Sequence, residues 1–110
     1  MTSTSTNPYS DMTPADVQAR SGAFRIIDVR EPSEYSGDLG HIEGAELVPL
    51  GGFPGVAAGW DRHKPLVMVC RSGARSGRAT SLLANMGFAE VHNMVGGMMR
   101  WSNERRPTSR

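Results

Sequence analysis

The strongest constraint on the fold of this chain is an apolar run that passes through a polar turn into a helical pattern. Leu66–Val69 is uniformly apolar, Cys70 and the polar turn 71–75 follow at once, and residues 76–86 carry apolar side chains at helical spacing. A strand that is apolar on both faces is typical of a parallel sheet covered by helices on both sides. The chain therefore predicts an α/β fold with a mainly parallel sheet.

Other predicted elements alternate along the chain in the same manner. Thr13 offers an N-cap before Pro14, and Gly22 ends the short helix that these residues begin. Gly87 caps the helix over 76–86. Further strands are predicted over 24–29, 46–50 and 89–92, and further helices over 31–35, 53–60 and 98–104. Two glycines make the helix over 53–60 short or irregular.

Length and charge bound the class of protein. The 110 residues suffice for one domain, and 12 basic against 11 acidic residues leave no global field that attracts nucleic acid or a membrane surface. One cysteine, without a signal-peptide pattern or a long apolar segment, predicts a cytoplasmic protein. We expect a monomer or weak homodimer with a flexible leader over 1–10, a domain over 11–107 and a tail over 108–110.

Cys70 is the candidate catalytic residue, as a nucleophile. A strand that delivers a thiol to the N-terminal end of a helix surrounds the sulfur with unpaired backbone N–H groups and a positive dipole end, and both favour the thiolate. The alternative is a small buried core residue, since free cysteines are often buried. Two nearby arginines and Gly73 favour the nucleophile.

The turn after Cys70 is the candidate substrate-binding site, because successive backbone N–H groups there make a cradle for an anion. Arg71 is expected to bind an anionic donor and to lower the pKa of the thiol. Arg75 either binds substrate or ties an acid such as Glu34 or Asp28. The predicted substrate-binding residues are Arg71, Ser72, Gly73, Ala74, Arg75 and Ser76.

Such a cradle serves attack on phosphorus or on a sulfane sulfur. Cysteine-dependent phosphatases place five residues between the cysteine and the arginine, whereas four residues separate Cys70 from Arg75. The shorter loop therefore suits a single extra sulfur atom better than a tetrahedral phosphoryl group.

Structural support near the site is assigned to Asp28, Arg30 and His41, which we expect to fix loops by hydrogen bonds. The three histidines are scattered without paired spacing, so no metal site is expected. Core packing is expected for Met94, Met98, Met99 and Trp101. A solvated, frayed end is expected for Arg105, Arg106 and Arg110.

Four segments in a fixed order resemble the single-domain rhodanese-like sulfurtransferases, over about residues 11–107. They are IIDVREPSEY at 26–35, GHIEGA at 40–45, VMVCRSGARS at 67–76, and Gly96-Gly97-Met98 with Trp101. The segment 37–40 makes the link before His41 two residues longer than the common family pattern, and 53–60 is glycine-rich where the family has a better helix. Both departures concern the rim of the site.

The resemblance implies a five-stranded parallel sheet flanked by helices, and a sulfur-transfer reaction without cofactor or metal. In that family the counterpart of Cys70 takes a sulfane sulfur from a small anionic donor such as thiosulfate. It then passes the sulfur from a persulfide to an external acceptor such as cyanide, a thiol or a protein thiol. Two alternatives stay open: a weakly catalytic or non-catalytic sulfur-carrier or regulatory module, and an arsenate reductase or phosphatase on the same fold.

Overall fold

The computed structural model describes residues 8–110, and its centre is a five-stranded, all-parallel sheet. The strands, in chain order, are β1 (Tyr9–Met12), β2 (Arg25–Asp28), β3 (Glu46–Leu47), β4 (Leu66–Val69) and β5 (Val91–Met94). Their spatial order is β1-β5-β4-β2-β3, so the uniformly apolar β4 lies in the middle. The α/β class with a parallel five-stranded sheet, predicted from the sequence, is confirmed.

Helices connect the strands and cover both faces of the sheet. They are α1 (Pro14–Ala19), α2 (Pro32–Tyr35), α3 (Phe53–Ala57), α4 (Ala74–Asn85) and α5 (Gly97–Asn103), with 3₁₀ turns at Ser21–Ala23 and Leu50–Gly52. The Thr13 hydroxyl accepts the backbone N–H of Asp16, which is the predicted N-cap of α1. The predicted short helix over 53–60 is confirmed as the five residues of α3.

Alternation along β4 divides the core into two clusters. Leu66, Met68 and Cys70 pack with α3 and α4, whereas Val67 and Val69 pack on the opposite face with α1 and α5. A residue at the carboxyl end of β4 that follows this alternation therefore points toward α4. This places the sulfur of Cys70 under the start of that helix.

The predicted boundaries need correction at both ends of the chain. The leader over 1–10 is wrong for Tyr9 and Ser10, because they open β1 and pair with Val91 and His92. Its residues 1–7 lie outside the described part. β1 was missed since its sequence, YSDM, is mostly polar and half exposed at a sheet edge.

The predicted frayed end is also wrong, although Arg105 and Arg110 are exposed as expected. Ser109 forms an antiparallel bridge with His41, and the Arg110 guanidinium donates to the Asp38 carbonyl. Arg106 donates to Glu104 and to Gln18. The contacts of Ser109 and Arg110 hold the end of the chain against His41 and the loop over 37–40, and the Arg106 bond to Gln18 holds it against α1.

The methionines and the tryptophan that the sequence places in the core are buried, with one exception. Met94 and Met98 are fully buried and Trp101 nearly so, but Met99 is 47% exposed, because the helical turn that buries Met98 points its neighbour outward. No helix within residues 8–110 is long and apolar enough to cross a membrane.

Candidate functional site

The sulfur of Cys70 lies beneath the turn that joins β4 to α4, and the residue is only 1% exposed. The backbone N–H of Gly73 donates to Sγ over 3.1 Å, and the Ser76 hydroxyl oxygen lies 3.3 Å from it. Gly73 takes a φ of +106° and approaches the backbone of Gly96 closely, which a side chain would oppose. The turn therefore folds around the sulfur as the sequence predicts.

Two opposing effects set the pKa of Cys70. Burial raises it, but hydrogen bonds from the Ser76 hydroxyl and from the backbone N–H groups of Ser76, Gly73 and Ser72 together outweigh burial. The net pKa lies below the ordinary thiol value, so more thiolate is present at neutral pH than in a free cysteine. The thiolate is the nucleophilic form of the residue.

The pKa-lowering role that the sequence assigns to Arg71 stays a prediction. The residue is exposed. It does border a cleft of about 330 Å³. The cleft is lined by Arg30, Ser33, Glu34, Gly37, Asp38, Leu39 and Arg71, so the lengthened loop over 37–40 forms its rim.

Helix α5 supports the turn from behind. The backbone N–H of Met98 donates to the carbonyl of Cys70 over 2.8 Å, and that of Met99 donates to the carbonyl of Arg71 over 2.9 Å. Ser72 and Ala74 are exposed on the outer side of the turn, and Ala74 is the first residue of α4. The carbonyls of Cys70 and Arg71 are thus held by α5, while the N–H groups of Ser72, Gly73 and Ser76 serve the sulfur.

Arg75 forms an ion pair with Glu34, one of the two acids that the sequence offered as its partner. Both terminal nitrogens of its guanidinium donate to Glu34 carboxylate oxygens over 2.8 Å. Both side chains are only partly exposed, at 33% for Arg75 and 26% for Glu34. The pair joins α4 to α2 across the site, which favours the structural role of Arg75 over substrate binding.

Acid titration is expected to expose the contribution of this pair to stability. The Arg75 guanidinium lowers the pKa of Glu34 from 4.5 to about 2. Stability from a lowered pKa is fully present above the unfolded value and is lost as the pH falls toward the folded value. We expect Glu34→Gln to reduce the free energy of unfolding by about 1–2 kcal/mol at pH 7, after allowance for exposure. The difference from the wild type should shrink between about pH 5 and pH 2.

Glu46→Gln is the matched control, since Glu46 pairs with Arg25 at a more exposed site, 46% for the acid. Urea denaturation at a series of pH values measures both variants. The interpretation is wrong if Glu34→Gln changes stability no more than the control, or by the same amount at every pH.

The three predicted support residues are engaged in loop contacts. Arg30, buried like Asp28, donates to the Asp28 carboxylate over 2.7 and 2.9 Å and to the carbonyl of Gly40 over 2.7 Å. His41 Nδ1 donates to the carbonyl of Tyr35 over 2.8 Å, and the two rings stack with 3.7 Å between centroids. These bonds fix the loop over 37–40 that borders the cleft.

Asn93 is a site residue that sequence reasoning missed. Its Oδ1 lies 2.6 Å from the Ser76 hydroxyl oxygen, its Nδ2 donates to the carbonyl of Gly73 over 3.2 Å, and Tyr9 hydrogen-bonds to it from β1. The predicted strand over 89–92 stopped one residue short of it. A polar side chain at the carboxyl end of the strand beside β4 was the available signal. Ser76 likewise contributes its hydroxyl, where only its N–H was predicted.

No group of three or more His, Cys, Asp or Glu side chains in the described part of the chain is placed to hold a metal ion. The groups that the described residues bring to the site are a thiol, hydrogen-bond donors and two arginines.

Comparison with known proteins identifies this arrangement of strand, cysteine turn and helix. A model of the rhodanese-like domain matches residues 13–104, which is most of the chain. The chain belongs to the rhodanese-like family. Its cysteine turn, with Cys70 at the end of the central strand, is one of the four segments on which the resemblance of the sequence to the sulfurtransferases of this family rested.

Individual relatives agree with the family assignment. This rhodanese-like chain is 38% identical over 80 residues to the uncharacterized protein YqhL of Bacillus subtilis, covering 73% of the chain and 62% of YqhL. It is 32% identical over 84 residues to the thiosulfate sulfurtransferase GlpE of Pseudomonas paraeruginosa, covering 76% of the chain and 74% of GlpE. The chain therefore spans less than two thirds of YqhL and about three quarters of GlpE.

A solved structure shows the same fold. The rhodanese-related protein of Thermoplasma volcanium superposes with a TM-score of 0.81 at 28% identity, over 90% of this chain and 96% of that one. The departures noted in the sequence, at 37–40 and 53–60, therefore leave the family fold intact.

Proposed function

We propose that this rhodanese-like domain is a sulfurtransferase that carries sulfur as a persulfide on Cys70. One observation supports it most: a buried thiol meets a hydroxyl and three backbone N–H donors that lower its pKa. Such a thiolate is a nucleophile, and the donors around it can stabilise negative charge on the sulfur. Attack on a sulfane sulfur needs a thiolate of this kind.

In the first half-reaction the Cys70 thiolate attacks the outer sulfur of thiosulfate. A bond forms between Sγ and the outer sulfur, and the bond from that sulfur to the sulfonate sulfur breaks. The electron pair of the broken bond leaves with sulfite. Arg71, exposed at the mouth of the cleft, attracts the doubly charged donor.

In the second half-reaction a thiophile such as cyanide or a thiol attacks the outer sulfur and releases Cys70 as thiolate. Cys70 is the only cysteine of the chain, so no internal thiol resolves the persulfide. The acceptor is therefore an external small molecule or a thiol of a partner protein.

Phosphatase or arsenate chemistry on the same turn is the weaker alternative. Clamping a phosphoryl group needs a free guanidinium after the cysteine. Both terminal nitrogens of Arg75 are occupied by Glu34, and the turn is one residue shorter than in phosphatases.

Intact-mass spectrometry tests the proposal directly. After incubation with thiosulfate, the wild type is expected to gain one sulfur atom, and cyanide should then remove it. Cys70→Ser should gain none, because a hydroxyl is not ionised at neutral pH, while Ser72→Ala is a control at the exposed side of the same turn and should still be loaded.

Absence of an adduct from thiosulfate and from an organic persulfide would overturn the enzyme proposal and favour a regulatory module. Hydrolysis of an aryl phosphate that depends on Cys70 would favour the phosphatase alternative instead.

A further inference from the structure

Three buried side chains from three elements form a chain of contacts that ends at the sulfur. Asn93 on β5 is 6% exposed, Ser76 on α4 is fully buried, and Cys70 closes β4. The Ser76 hydroxyl oxygen lies 2.6 Å from Asn93 Oδ1 and 3.3 Å from Cys70 Sγ. Both neighbours are hydrogen-bond acceptors, and the hydroxyl has one proton to donate.

The charge on the sulfur decides which acceptor receives that proton. A thiolate attracts it strongly, since hydrogen bonds to an ionised group are about twice as strong as neutral ones. Asn93 Oδ1 then faces a hydroxyl oxygen without a proton between them. In the thiol and in the persulfide Sγ itself carries no charge, so the shorter bond to Asn93 prevails.

We propose that Asn93 is a positioning residue that competes with the Cys70 sulfur for the Ser76 proton and so favours the thiol and the persulfide over the thiolate. The persulfide part rests on the proposed function. When sulfur is loaded, the negative charge moves from Sγ to the outer sulfur, and the Ser76 proton turns to Asn93. When sulfur is released, the charge returns to Sγ and the proton turns back.

Other groups face the sulfur or Asn93 and must be held constant in a test. Arg75 on α4 senses the charge of Cys70 and is paired with Glu34 of α2, and Arg71 lies in the turn itself. Tyr9 on β1 hydrogen-bonds to Asn93. Substitution of Asn93 or Ser76 leaves Arg71, Arg75 and Glu34 in place, but loss of Asn93 also removes its bond with Tyr9, which the Ser76→Ala background keeps constant.

A double-mutant cycle on the thiol pKa separates this role from a structural one. The rate of alkylation by iodoacetamide against pH reports the pKa of Cys70 in the wild type, Asn93→Leu, Ser76→Ala and the double variant. We expect Asn93→Leu to lower the pKa by about one unit, because the freed proton serves the thiolate. We expect Ser76→Ala to raise it, and Asn93→Leu to shift nothing further in the Ser76→Ala background.

Other results overturn the proposal. If Asn93→Leu raises the pKa or leaves it unchanged, the competition is absent. If it shifts the pKa equally in both backgrounds, Asn93 acts through the Gly73 carbonyl, as a structural residue would.

A second variant covers the case in which leucine prevents folding, which circular dichroism detects. Asn93→Asp keeps an acceptor at Oδ1 and strengthens it, so the pKa of Cys70 should rise, and rise less when Ser76 is alanine. If the pKa rises equally in both backgrounds, repulsion between the new carboxylate and the thiolate explains the whole effect, and the proposal is contradicted.

The persulfide part has its own readout. In the loaded protein, cyanide should remove sulfur several-fold faster from Asn93→Leu than from the wild type, and an unchanged rate contradicts this part. The pKa cycle uses no sulfur donor. If the protein takes up no sulfur but the pKa cycle gives the expected result, the proposed function is refuted and the competition between Asn93 and Cys70 stands.

Discussion

Replacing Arg30 with methionine is expected to lower the free energy of unfolding by about 3–5 kcal/mol, because it leaves a buried carboxylate without its counter-charge. Asp28 is fully buried, Arg30 is 1% exposed, and the guanidinium also holds the carbonyls of Glu34 and Gly40. Helix α2 loses the first of these bonds and the loop over 37–40 loses the second. Urea denaturation followed by circular dichroism measures the loss.

Arg25→Met is the matched control, because Arg25 makes a comparable ion pair with Glu46 that stays partly exposed, at 29% and 46%. An exposed pair is worth less than about 1 kcal/mol. A second change, Asp28→Asn in the Arg30→Met background, should recover part of the stability by removing the unpaired charge. Equal losses in Arg30→Met and Arg25→Met contradict the role assigned to burial.

Replacing Gly97 with alanine is expected to separate α5 from the cysteine turn, with a loss of roughly 2–4 kcal/mol and a rise in the pKa of Cys70. Gly97 has a φ of +58°, and a Cβ there would lie 2.6 Å from the carbonyl oxygen of Cys70 and still closer to the backbone of Arg71. Relief of this clash must break the bonds from Met98 and Met99 that hold the turn. Denaturation and the pH dependence of alkylation measure the two effects.

Variants at two other glycines separate the backbone strain of a positive φ from the steric clash of a Cβ. Gly44 has a φ of +87° with nothing within 4 Å of a Cβ, so Gly44→Ala carries only the backbone strain, about 1–2 kcal/mol. Gly22 has neither a positive φ nor a close neighbour, so Gly22→Ala should be nearly neutral. If Gly97→Ala costs no more than Gly44→Ala and leaves the pKa of Cys70 unchanged, the close approach to the turn is not what requires glycine.

Elements with a strong local signal were predicted correctly. The apolar β4, the N-cap Thr13 and the buried Trp101 of α5 each follow from neighbouring residues. β1 was missed because an edge strand that is half exposed carries no continuous apolar run. Its pairing is supplied by β5, about eighty residues later in the chain.

For the site, the sequence alone predicted the turn around Cys70 and the family, and it proposed Cys70 as the nucleophile, because a strand end, a glycine and a helix start are local features. Only the tertiary structure decided which groups act on the sulfur. Arg75 is committed to Glu34, 41 residues away, and Ser76 to Asn93, 17 residues away. Such partners meet through strand order and helix packing, which residue spacing does not encode. The backbone N–H groups that lower the pKa of Cys70 were expected from the turn itself, whereas the Ser76 hydroxyl, which lowers it as well and contacts Asn93, was not.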